Sequence, residues 1–174
     1  IHTATVGVVG IGRLGYTEAK LYKALGAKVV AYDPYPSDAA KELAELVDLP
    51  TLLAQSDIVS IHVPYFPGKN EDLVNTDFIQ QMKSGAVLIN TARGKLANVP
   101  AILKGLEDGQ LSGYGTDVVA DEVAIIGKRL ASVTEVPNQG VQDLLRAYPK
   151  VLITPQVESY TEQALQDTVR LSSD

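Results

Sequence analysis

The chain has 174 residues, 45% of them hydrophobic and 21% charged, with a formal net charge of −6. This is the profile of one ordinary globular domain with a real core, and its acidic balance argues against a general nucleic-acid binder. The absence of cysteine excludes disulfides, thiolate metal sites and cysteine nucleophiles, and two distant histidines, His2 and His62, leave no histidine-rich metal site.

No apolar run approaches the ~20 residues needed to cross a membrane, so no membrane partner is expected. The opening Ile1-His2-Thr3-Ala4 has no signal-peptide layout, which suits a cytoplasmic protein.

In chain order, Thr5-Val6-Gly7-Val8-Val9 reads as a buried strand that runs into Gly10-Ile11-Gly12-Arg13-Leu14-Gly15. Gly10 permits a tight turn, Gly12 allows the backbone close to a pyrophosphate, and Gly15 lets the following helix pack on the sheet. The backbone N–H groups of that helix start, at Arg13 and Leu14, face the phosphates together with the positive end of the helix dipole. The helix is predicted over about 13–25, with Leu14, Leu21 and Leu25 on one stripe and Gly26 where a C-terminal cap belongs. A second strand, Lys28 to Tyr32, ends in Asp33, where a carboxylate would accept hydrogen bonds from the adenosine ribose and repel a 2′-phosphate. A strand, a glycine turn, a helix and a second strand closed by an acid make a Rossmann-type site with NAD as cofactor.

Beyond Asp33, Pro34 to Ser37 is a turn, Asp38 to Leu46 reads as a helix, and Leu52-Leu53 lies in a short turn or helix. Further strands are predicted over 57–63, 86–90, 113–118 and 151–153, with helices around 75–82, 98–107, 141–147 and 160–170. Six strands alternating with helices predict a doubly wound parallel sheet, with the whole of 1–174 as one coenzyme-binding domain. His62, ending an apolar strand, reads as a packed or hydrogen-bonded core histidine rather than a catalytic base.

Four later segments make the reading more specific. They are His62-Val63-Pro64, Asn90-Thr91-Ala92-Arg93-Gly94, the run from Gly115 to Glu122, and the run from Thr154 to Thr161. In this order after the glycine turn, the chain resembles the NAD-binding domain of the D-2-hydroxyacid dehydrogenases. It is most similar to their D-lactate dehydrogenase branch, including the lactate dehydrogenases of vancomycin resistance.

The resemblance implies NADH-dependent reduction of a 2-keto acid, pyruvate first among them, to the D-2-hydroxy acid. It implies that Arg93 binds the substrate carboxylate as a two-pronged fork, with Thr91, Ala92 and Arg93 also meeting the cofactor. It gives Glu122 the role of hydrogen-bonding the acid–base histidine and raising its pKa, and sets Asp117 near the nicotinamide. Without that context, Asp117 to Glu122 would read as a solvated acidic loop. Val63 and Pro64 would line the nicotinamide ribose, and Asn70 is a further cofactor contact. A homodimer is implied for the parent enzyme.

There are two departures from the family pattern. A histidine is expected directly after Thr154-Pro155, and Gln156 stands there. A carboxamide fills similar space and can hydrogen-bond a carbonyl, but it cannot donate or take up a proton near neutral pH. An inactivating substitution, a homologue that binds NAD without reducing anything, and rescue by a donor outside this chain all stand open. The reading taken is a dehydrogenase impaired in this copy. The second departure is extent: the family's substrate domain is built from segments flanking the coenzyme domain, so the sequence reads as an isolated coenzyme domain.

Overall fold

Val6, Val8, Val9 and Val30 are fully or almost fully withdrawn from water, so the first two strands are buried on both faces. Such strands need helices above and below, and they suit a parallel sheet. The computed structural model describes residues 1–125, 128, 130–154 and 156. Its strands are β1 (Thr5–Val9), β2 (Lys28–Tyr32), β3 (Glu45–Leu46), β4 (Ile58–Ile61), β5 (Ala86–Asn90), β6 (Leu111–Thr116) and β7 (Val151–Ile153). They form one seven-stranded sheet in the order β3-β2-β1-β4-β5-β6-β7, and every neighbouring pair is parallel.

The helices are α1 (Arg13–Ala24), α2 (Asp38–Leu43), α3 (Leu49–Gln55), α4 (Thr76–Gln81), α5 (Val99–Glu107) and α6 (Gln139–Arg146). One apolar cluster joins Val6, Val8, Val29 and Ala31 to Ala19 of α1 and Ala40 of α2. The other joins Val9, Val30, Val59, Ile61 and Leu88 to Leu52, Phe78, Ile102 and Leu144 of α3 to α6. This is a doubly wound α/β fold of Rossmann type. The chain moves outward from β1 to β3 and then returns to β4 beside β1. That reversal opens a crevice at the carboxyl ends of β1 and β4.

Leu14, Leu21 and Leu25 do share one stripe of α1, and it faces solvent: they are 76%, 61% and 60% exposed. The buried residues of α1 are Gly15 and Ala19. A Cβ at Gly15 would lie 2.1 Å from the Gly10 carbonyl oxygen, so the helix approaches the sheet too closely for larger side chains. The helix predicted over 38–46 stops at Leu43. Ala44 turns extended (φ −131°, ψ 153°), and Glu45-Leu46 then pairs with Val30-Ala31 as a strand absent from the six-strand reading. Leu49–Gln55 is a full helix, with Asp48 capping its first turn through Thr51 N–H. The helix expected over 160–170 lies outside the described residues.

Candidate functional site

The glycine turn has three different steric demands. Gly10 has φ +89°, and a Cβ there would press on Val63 and on the His62 backbone at 2.9–3.0 Å. Gly12 would meet nothing within 4 Å, so its open side faces the crevice. Gly12 is also the N-cap of α1 and supplies no side-chain cap, whereas Ser37, Asp48, Asn75, Asn98 and Asn138 cap α2 to α6 with their own oxygens. The first turn of α1 carries no acidic residue either, so its N–H groups and dipole face the crevice without an internal anion.

Asp33 stands across this turn. One carboxylate oxygen accepts the Ile11 N–H at 3.0 Å and the other accepts the Tyr35 N–H at 2.8 Å. Its charge thus braces both the glycine turn and the Pro34-Tyr35 turn. Two adjoining hollows share Gly12, Asp33 and Tyr35. One also takes in Arg13 and Tyr16, and the other, about 400 Å³, takes in Gly10, His62, Val63, Pro64, Phe66 and Asn70. Open backbone at Gly12, an uncapped helix start and a carboxylate opposite it fit a dinucleotide: diphosphate at the helix and ribose hydroxyls at Asp33. Asn70 lines this crevice, but its amide donates to Pro64 O and accepts from Phe66 N–H, both at 2.7 Å, so its polar atoms shape the loop. Leu14 lines neither hollow, and its side chain points to solvent.

At the ends of β5 to β7, a second group assembles. Asn90, fully buried, accepts the Ala92 N–H and donates to Arg93 O, which sets the Thr91-Ala92-Arg93 turn. Gly94 then lies so close to the Val119-Ala120 backbone that a Cβ would be 2.2 Å from Val119 C. This contact docks the Arg93 turn on the loop after β6, so Arg93, Lys95, Asp121 and Glu122 line one hollow with Tyr65. The guanidinium donates to Ala92 O at 2.6 Å and otherwise stays exposed.

A smaller hollow of about 210 Å³ brings together Asp117, Glu122 and Gln156 among Ile125, Val141, Leu145 and Ile153. Glu122 borders both hollows. Asp117 is buried and accepts the Thr154 hydroxyl in a short hydrogen bond. Asp121 and Gln156 both hold left-handed backbone, at φ +59° and +53°. Among the described residues, no group of three or more His, Asp or Glu could hold a metal ion, and no helix is long and apolar enough to cross a membrane.

The expected residues therefore fall into two sets along one sheet edge. Gly10, Gly12, Arg13, Asp33, Val63, Pro64 and Asn70 line the crevice, while Arg93, Asp117, Glu122 and Gln156 lie at the β5–β7 ends. Thr91 and Ala92 join them as the turn after β5. Asn90 and Gly94, present in the sequence motif without an assigned role, set the position of that turn. Their signal was present in the sequence as a polar residue closing an apolar strand and a glycine directly after the arginine. The His62 side chain is 7% exposed and hydrogen-bonded to Ser60 and Glu18, as expected of a packed, hydrogen-bonded histidine.

Residues 1–157 match the family model for the D-isomer specific 2-hydroxyacid dehydrogenase, NAD binding domain. The chain is 40% identical over 171 residues to a D-lactate dehydrogenase of Leuconostoc mesenteroides subsp. cremoris, covering 98% of this chain and 51% of that protein. It is 39% identical over 163 residues to a glycerate dehydrogenase of Methylorubrum extorquens, covering 94% and 46%. The NAD complexed form of a D-isomer specific 2-hydroxyacid dehydrogenase from Lactobacillus delbrueckii ssp. bulgaricus superposes with TM-score 0.90 at 35% identity, over 98% of this chain and 52% of that one. The chain spans about half the length of the curated relatives it matches. Its glycine turn, sheet order and matched length make it a member of the D-isomer-specific 2-hydroxyacid dehydrogenase family, in the NAD-binding domain.

Proposed function

We propose that this chain is the coenzyme half of an enzyme that reduces a small 2-keto acid, pyruvate first among candidates, to its D-2-hydroxy acid. The observation that carries the reading is the hollow shared by Arg93 and Glu122, past the ends of β5 and β6 on the sheet edge that also carries the glycine turn. When bound, the reduced cofactor supplies a hydride to the keto carbon. Arg93 offers a planar fork suited to two-point contact with the substrate carboxylate. Asp33 selects NAD over NADP by repelling a 2′-phosphate. Gly10, Gly12, Arg13 and Gly15 form the phosphate turn, with Val63, Pro64, Thr91 and Ala92 along the nicotinamide side.

The proton for the developing alkoxide is the weak point. Gln156 can orient a carbonyl by hydrogen bonding, but it cannot protonate it, and Glu122 then has no imidazole to hold. This copy should therefore bind its cofactor and turn over slowly. Gln156→His in the complete protein is expected to raise NADH-dependent pyruvate reduction about a hundredfold or more, the typical contribution of a positioned general acid. Absence of any gain would favour the second reading, an NAD-sensing binding protein of the same fold, which Gln156 itself supports.

The parent is proposed to be a homodimer. Leu14, Leu21 and Leu25 form an exposed apolar ridge along α1, which supports a protein contact there. A cytoplasmic setting fits the absence of cysteine.

A further inference from the structure

Behind the glycine turn, Glu18, Ser60 and His62 form a polar cluster that takes no part in the chemistry above. The His62 Nε2 makes a short hydrogen bond with a Glu18 carboxylate oxygen. The Ser60 hydroxyl lies 2.9 Å from the same nitrogen and 3.1 Å from the other Glu18 oxygen. Ser60 is fully buried, and the His62 and Glu18 side chains are 7% and 24% exposed. Tyr22, one turn along α1, closes the cluster: burial and then the Glu18 carboxylate push its phenol above the ordinary tyrosine value.

A serine, histidine and carboxylate suggest a nucleophile relay, but the geometry rejects one. Serine and glutamate meet the same ring nitrogen, whereas a relay uses opposite ones, and the hydroxyl has no access to solvent.

The value of the cluster lies in what it joins. Glu18 belongs to α1, whose start at Gly12 and Arg13 forms one wall of the crevice. His62 borders the crevice and leads directly into Val63 and Pro64, which form the opposite wall. Strand pairing of β1 with β4 ends at Val9 and Ile61, followed by a single His62 N–H to Val9 O bond at 2.8 Å. Beyond that point, the Glu18–His62 bridge ties the walls together from behind.

We propose that Glu18 and His62 are positioning residues for the dinucleotide, presetting the distance between the phosphate-facing start of α1 and the Val63-Pro64 wall. The inference rests on the cofactor reading above. A ligand that spans both walls should feel loss of the bridge, while one that stops at the α1 side should not. On the cofactor reading NADH spans both walls, whereas inorganic pyrophosphate meets only the start of α1.

The test titrates the full chain with each ligand by fluorescence or calorimetry, alongside thermal unfolding. Glu18→Ala is expected to weaken NADH about tenfold and pyrophosphate less than about twofold, the loss of one charge-assisted hydrogen bond. Glu18→Gln, which keeps an acceptor for the imidazole N–H, should recover most of the NADH affinity. Should Glu18→Ala fail to fold, His62→Gln preserves volume and is expected to repeat the split. Equal weakening of both ligands, or a lower Tm with NADH affinity unchanged, would overturn the positioning role. Unaltered protein that binds neither ligand would overturn the cofactor reading, and this inference with it.

Discussion

Gly12 and Gly15 lie within one turn of each other, yet a methyl group would meet opposite fates at the two sites. At Gly15 it would lie 2.1 Å from the Gly10 carbonyl, and at Gly12 it would meet nothing within 4 Å. Gly15→Ala is expected to push α1 off the sheet and lower stability by about 1–3 kcal/mol, the usual cost of overpacking. Gly12→Ala should leave thermal unfolding almost unchanged while weakening NADH, because its methyl enters the space proposed for the diphosphate. Thermal unfolding beside an NADH titration separates the two. Asp33→Ser should lower affinity for NADH and narrow the preference over NADPH; unchanged preference in paired titrations would remove Asp33 from the specificity role. At this scale the sequence was most legible where a residue type has few uses. Glycines at fixed spacing and an acid ending a strand announced the crevice. The leucines of α1 fall on one stripe as expected, but apolar character alone does not say whether a stripe faces the core or solvent, and only the approach distance at Gly15 shows which side meets the sheet.

Among elements, the strands with several apolar residues and the helices α1, α4, α5 and α6 were readable from local pattern. β3 was not. A two-residue edge strand has no periodicity of its own, and its state is set by the hydrogen bonds Val30 and Ala31 offer. The site loops were legible in composition but not in placement: Asn90 and Gly94 position Arg93 against the loop after β6 through contacts distant in sequence.

Connections between elements also carry a pH signature. Before β4, Asp57 accepts from Lys83 Nζ at 2.5 Å and from the Thr5 N–H at 2.8 Å, joining the starts of β1 and β4 to the turn before β5. The lysine contact, then the backbone N–H, lowers its pKa. The Asp48 cap is lowered likewise by the Thr51 hydroxyl and N–H. Both carboxyls bind protons less readily when folded. Their stabilisation is therefore complete above the ordinary carboxylate range, near about pH 4, and is lost as pH falls through the depressed folded values. Tm should fall as acid is added below about pH 5, and Asp57→Asn should flatten that fall. An unaltered slope would show that the Asp57 contacts contribute nothing measurable.

For the whole molecule, the unsettled surface is the α1 ridge. If Leu14, Leu21 and Leu25 meet a second copy, Leu21→Glu should convert a dimer to a monomer in light scattering of the full-length protein, with NADH binding retained. A monomeric unaltered protein would refute the dimer. The sheet order has another consequence, for biosynthesis. β1, leaving the ribosome before its partners, becomes an inner strand that needs both β2 and β4, and their registers pair Val6 with Val29 and with Ile58. No tight hairpin can shelter it meanwhile, because parallel neighbours require long crossovers. Until the chain has grown past Ile61, one greasy flank of Val6 to Val9 stays unpaired. The nascent polypeptide should therefore depend on holding chaperones during that interval, and its refolding in dilute solution should be slower than that of a helical bundle of equal size.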